Sequence, residues 1–283
     1  LTGCTGKNNF PLLKGPYLGQ KPPGITPEIF APGIISRGYA EYQISFTQDG
    51  KELFLWLGEN RPYSVILSMK EDKSGWGSFH ICSFSGKYVD MKCSLSPDGN
   101  RLLFSSNRPR QGNGEPEDNL DIWYVERSPE GWSQPRRFDS AVNTDSHDYY
   151  PTLSETGNLD FMSDRPGGTG EDDIYYSPLV NGKLTEAVNI GPAVNTILNE
   201  GDPYISPDES YLIFCSRDRE GGFGNNDLYI SFRNPDGSWT QAMNMEETIN
   251  TAAEEVCPIV SHNGRYFFFQ ATEKRPDRFP VLP

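Results

Sequence analysis

The chain has 283 residues, 35% hydrophobic and 12% aromatic, with 28 glycines, 23 prolines and a net charge of −14. No apolar run reaches the ~20 residues of a membrane-spanning helix, and no amphipathic helical pattern of useful length occurs. The acidic balance repels phosphate backbones and so excludes nucleic acid as a partner.

At the N-terminus, Leu1-Thr2-Gly3-Cys4 resembles a bacterial lipobox, and Thr5 to Asn9 form a polar stretch behind it. The resemblance implies lipid attachment at Cys4, a tether over residues 1–23, and a periplasmic or outer-membrane-anchored protein of a Gram-negative-type bacterium. The membrane would be met only through that lipid, and the expected oligomeric state is a monomer. Residues 24–283 then form a single domain. Cys82, Cys93, Cys215 and Cys257 have no metal-type spacing; they could pair or remain buried thiols.

The rest of the chain is a repeated hairpin. Thr47-Gln48-Asp49-Gly50, Ser96-Pro97-Asp98-Gly99, Ser154-Glu155-Thr156-Gly157, Ser206-Pro207-Asp208-Glu209 and Ser261-His262-Asn263-Gly264 are variants of one turn. The third turn residue advances by 49, 58, 52 and 55 positions, longer than the ~40–45 of WD-type propeller repeats. A hydroxyl two residues earlier can bond back to the turn. Apolar columns flank it: Phe46, Leu95, Leu153, Ile205, Val260 before, and Phe54, Leu103, Phe161, Ile213, Phe268 after.

Strand C of each unit is announced by Asp121-Ile122-Trp123, Asp173-Ile174-Tyr175 and Asp227-Leu228-Tyr229, and strand D by Gly131-Trp132 and Ser238-Trp239. Asn143-Thr144, Asn195-Thr196 and Asn250-Thr251 recur before the next unit. The pattern predicts an all-β fold, a five-bladed β-propeller of four-stranded antiparallel blades. The last blade lacks its outer strands in sequence. Residues 27–36 are expected to supply its strand D, closing the ring with an N-terminal strand, and Phe279 to Leu282 its strand C.

Ser-Pro-Asp-Gly, then Leu-Leu-Phe-Ser-Ser-Asn-Arg-Pro, then Asp-Ile-Trp resembles the TolB-like, WD-like propeller repeat, over roughly residues 41 to 272. That family includes periplasmic lipoproteins and partner-binding proteins, and a few relatives degrade glycans. The resemblance implies fold more firmly than function.

Eight residues before each turn residue the chain is acidic: Glu41, Asp90, Asp148, Glu200 and Glu255. This column falls where strand A enters the channel. The B–C loops on the same face carry Arg61, Arg108, Arg165, Arg219 and Arg275. Five converging carboxylates must share protons, bind a cation such as Ca, or meet basic partners. Three readings follow: structural Arg–carboxylate pairs, a ligand or cation site, or acid and base for a glycosidase. His147, beside Asp148, could add a metal ligand or base. The Gly167 and Gly221 loops lack the helix and Lys of a phosphate loop, and no serine-hydrolase elbow occurs. The preferred expectation is a non-enzymatic module without a required cofactor, binding a protein, peptide or glycan through its acidic top face. The alternative is a carbohydrate-active hydrolase or lyase using channel-mouth carboxylates.

Overall fold

The computed structural model describes residues 13–38, 41–59, 63–112 and 114–272. Its principal strands are β1 Glu41–Phe46, β2 Glu52–Glu59, β3 Tyr63–Asp72, β4 Asp90–Leu95, β5 Arg101–Ser106, β6 Asp121–Ser128 and β7 Asp148–Leu153. They continue as β8 Leu159–Ser163, β9 Asp173–Ser177, β10 Asn199–Ile205, β11 Tyr211–Arg217, β12 Asn226–Phe232, β13 Glu254–Val260 and β14 Phe267–Thr272. Two-residue outer strands at His80–Ile81, Arg136–Arg137, Val188–Asn189 and Met243–Asn244 pair with β3, β6, β9 and β12. Among the described residues the one helix is a short 3-10 turn, Pro16–Gly19. No helix is long and apolar enough to cross a membrane.

The repeated turn sets the hairpins. Ser96 Oγ donates to Asp98 Oδ1 at 2.6 Å and accepts the Arg101 N–H at 2.9 Å. Thr47, Ser206 and Ser261 make the same two contacts in their own turns. The hydroxyl column therefore ties each turn to the start of its second strand. Behind the turns, Phe54, Phe104, Phe161 and Phe214 are fully buried, each worth roughly 1.5–3 kcal/mol relative to exposure.

The first strand of each hairpin is an inner strand. β1, β4, β7, β10 and β13 pack in cyclic order, and β13 returns to β1. Each inner strand carries one extra residue against its partner, a β-bulge near its middle.

Two expectations about this architecture need correction. Among the described residues the strands form four large sheets and one ribbon of two two-residue strands, not five separate sheets. β13 and β14 join the sheet of β10–β12 through one parallel bridge, Asn226 with Glu254. Close by, a Cβ on Gly224 would lie 2.0 Å from the Ala253 carbonyl oxygen, an approach that only glycine allows; Gly170 approaches Leu198 in the same way without joining its two sheets.

Residues 27–36 do not form a strand either; they hold an isolated bridge between Pro32 and Ser36. Aromatic packing makes the contact instead. Phe30 sits edge-on to Phe268 at 4.9 Å, and Tyr17 stacks on Tyr266 at 4.5 Å. The Tyr17 N–H donates to the Gly50 carbonyl at 2.8 Å, and Trp76 Nε1 donates to the Gly15 carbonyl at 2.8 Å. Residues 13–20, assigned from sequence to the tether, are thus docked where the first and last hairpins meet, with Tyr17 and Leu18 buried. The expected strand at Phe279 to Leu282 lies outside the described residues.

Candidate functional site

The inner strands all begin on one face, opposite the turns, and the acidic column stands at their entrance. Asp90, Asp148, Glu200 and Glu255 are each 0% exposed. The third hairpin explains why a carboxylate is tolerated there. Asp148 Oδ1 accepts Ser163 Oγ at 2.6 Å and Arg165 Nη2 at 2.5 Å; Oδ2 accepts the Thr144 N–H at 2.6 Å and its hydroxyl at 2.8 Å. Glu200 repeats the set with Ser216, Arg219 and both donors of Thr196. Glu255 takes the two donors of Thr251.

The Asn-Thr pairs hold the other side of the same junction. Asn143 bonds both the N–H and the carbonyl of Ile122 on β6, while Thr144 reaches Asp148 on β7. Asn195 and Asn250 do this to Ile174 and Leu228. Arg165 closes the loop by donating to the Val142 carbonyl at 2.7 Å. Each of these three units stitches the third strand of one repeat to the inner strand of the next, and the carboxylate is the knot. Burial of such an ion is costly unless its lone pairs are used, and Asp148 and Glu200 each accept four hydrogen bonds.

The second hairpin departs from this. Ser85 and Gly86 stand where the third, fourth and fifth hairpins have Asn-Thr. Asp90 Oδ1 meets Ser106 and Arg108, the latter at 2.5 Å, but Oδ2 has no hydrogen-bond partner among the described residues. Desolvation pushes the Asp90 carboxyl upward, opposed by the Arg108 charge. Glu41 is paired more loosely, 3.6 Å from Arg37 Nε. Arg61, Arg275 and Cys4 lie outside the described residues.

His147 is half-buried, and its Nδ1 accepts the Leu120 N–H at 3.0 Å, which fixes the proton on Nε2. Among the described residues no group of three or more His, Cys, Asp or Glu side chains is arranged to hold a metal. The four described cysteines are free and buried. The glycine-rich B–C loops are pinned rather than loose: Asp173 accepts from Thr169 and Gly170, and Asp227 from Phe223 and Gly224.

One layer escaped the sequence reading. The bulge places Lys92, Tyr150, Asp202 and Cys257 in left-handed backbone, with φ of 57°, 56°, 52° and 56°. Gln43 is the extra residue of β1. These five stand at one repeat position, six before the turn residue, and the last four touch or attract one another. Lys92 Nζ lies 3.5 Å from the Tyr150 ring centroid and 4.4 Å from that of Tyr149. Tyr150 OH and Cys257 Sγ are 2.9 Å apart, and the Cys257 N–H donates to Asp202 Oδ2 at 3.0 Å. Toward the turn face the axis holds a cavity of about 50 Å³, lined by Ser45, Ser94, Thr152, Tyr204 and Ile259 among others.

A closed circuit of inner strands with sheets running outward decides the architecture. The chain has the β-propeller fold. No protein-family description matches it, and no curated protein does. Among solved structures it is similar to TolB from Acinetobacter baumannii, with a TM-score of 0.50 and 17% identity over 83% of this chain and 55% of that one. The chain thus spans about half the length of that TolB. It is also similar to a TolB of Agrobacterium tumefaciens (TM-score 0.44, 16% identity, 83% and 91% covered). An alpha-L-arabinofuranosidase from Lactobacillus brevis matches at TM-score 0.44 and 10% identity, with 70% and 74% covered. At these identities the likeness speaks to fold alone.

Proposed function

We propose that this chain is a non-enzymatic binding module, a five-bladed TolB-like propeller that offers its top face to a protein, peptide or glycan. The fifth blade is built on β13 and β14, and the cyclic packing of five inner strands supports that count. Cys4 carries a lipid that anchors the protein at the periplasm-facing or outer membrane surface.

One observation carries the reading. Asp148 and Glu200 have both oxygens occupied by donors of their own chain and no exposed surface. A general acid or base needs an oxygen within reach of substrate, and a saturated, buried carboxylate cannot supply one. Rigid loops held by such knots suit recognition instead, and two of them expose apolar side chains in one sector, Ile197 at 82% and Phe223 at 41%.

The hydrolase or lyase alternative has two points in its favour, the raised carboxyl and unpartnered oxygen of Asp90 and the Oε1 of Glu41, which accepts no hydrogen bond from a described residue. Asp90 is wholly buried, however, and Glu41 Oε1 is buried beside Arg37 at 3.6 Å. The test is thermal stabilisation and turnover against oligosaccharide and peptide panels, using wild type, Ile197→Asp and Asp90→Asn. A shift abolished by Ile197→Asp without turnover is the expected result. Glycoside cleavage abolished by Asp90→Asn overturns the reading.

A further inference from the structure

Lys92 is an unusual group to find at a propeller axis. Its ammonium rests on the faces of Tyr149 and Tyr150, a favourable place for a cation, yet Nζ makes no hydrogen bond or ion pair with any described residue. Asp202 attracts it only from beyond ion-pair distance, and the Asp202 carboxylate is already engaged by the Cys257 N–H. Burial works against the charge, Asp202 being the largest opposing influence. An ammonium with three donors and no acceptor in the protein is left to take its oxygen from water or a ligand.

A second group in the layer is also incomplete. Gln43 is 9% exposed, and its Oε1 is buried without a hydrogen-bond partner among the described residues. The layer therefore holds a cation with no acceptor among the described residues and, at the equivalent bulge of β1, an unsatisfied acceptor. Lys92 is only half-buried, so it can be reached. Tyr149, whose hydroxyl is held by Asp172 at 2.8 Å, keeps one wall of the Lys92 cradle fixed.

We propose that this axial layer is a binding subsite for a carboxylate group, with the Lys92 ammonium receiving the charge and Gln43 Oε1 accepting a neighbouring N–H or O–H of the same ligand. The proposal rests on the binding-module reading and names the chemistry of the ligand's buried end. A peptide terminus and a sugar acid both carry a carboxylate beside a hydrogen-bond donor, and the two sources are separated by experiment. The cavity of about 50 Å³ below the layer takes no more than a few waters, so the ligand enters from the top face.

The experiment titrates N-acetyl-alanyl-alanine and D-glucuronate, each beside its uncharged counterpart, the dipeptide amide and D-glucose, into wild type, Lys92→Met, Lys92→Arg and Ile197→Asp. Calorimetry reads affinity. We expect one of the two acids to bind wild type at least tenfold more tightly than its uncharged counterpart, with that preference lost in Lys92→Met and partly kept in Lys92→Arg. Which acid binds identifies the source. Retention in Ile197→Asp separates this subsite from the exposed face, so either can fail alone. If Lys92→Met does not fold, the ε-methylene NMR signal of Lys92 in wild type provides the reading: it moves with the acid and not with the uncharged partner. No preference for either acid, an unchanged preference in Lys92→Met, or an unmoved signal overturns the proposal.

Discussion

Arg165 and Asp148 meet at 2.5 Å with the carboxylate wholly buried, and Thr144 closes on the other oxygen from backbone and hydroxyl together. Asp90 has its arginine at the same distance but lacks the threonine. The two positions should answer differently to one substitution. In Asp148→Asn an NH2 must face a donor, leaving a buried group unpaired; removing one partner of a buried pair costs about 3–5 kcal/mol. In Asp90→Asn the NH2 can take the side that has no donor. Urea unfolding should therefore show Asp148→Asn the more destabilised variant. Equal losses would mean the threonine contributes nothing.

Asp160 gives the protein a pH dependence that is not the usual one for a carboxylate. Burial pushes its carboxyl up to about 8, with Glu209 adding to the effect and Arg233 opposing it. A group raised in the folded state stabilises fully below its unfolded value, and that contribution is lost as pH rises through about 8. Melting temperature should thus fall for wild type between pH 5 and pH 9 more than for Asp160→Asn, which should be the more stable at pH 9. Parallel profiles for the two proteins would contradict this.

The docked N-terminal segment can be tested through two equivalent turn glycines. Gly50 and Gly99 both have left-handed backbone, with φ of 66° and 72°, and alanine there costs roughly 1–2 kcal/mol. A Cβ on Gly99 meets open space, whereas on Gly50 it would lie 2.7 Å from the Tyr17 ring. That ring is held by its stack on Tyr266. Gly50→Ala should cost about 1–3 kcal/mol more than Gly99→Ala, and the difference should vanish in a Tyr17→Ala background. Equal costs in wild type would show that the segment does not press on the turn.

Much of this was legible in the sequence because the same chemistry recurs at fixed positions. Thr47, Ser96, Ser206 and Ser261 all bond their turns as a hydroxyl column should. The acidic column and its arginines were visible for the same reason, though not that Thr144 and Thr196 complete the cage. What escaped is what does not repeat. Gln43, Lys92, Tyr150, Asp202 and Cys257 share one structural position with five different side chains, so no column marked them. The end-to-end clasp was sought as a strand, yet Tyr17 and Phe30 act through ring packing, which leaves no alternation to read. The fifth sheet joins the fourth through a single backbone bridge, Asn226 with Glu254, which no side-chain column marks.

The buried carboxylates hold the top-face loops in place. Hydrogen exchange on Asp148→Ala measures this directly. Faster exchange is predicted in residues 143–147 and 164–170, the two segments that Asp148 joins, with β1 to β3 keeping wild-type protection. Unchanged protection in both segments would contradict it.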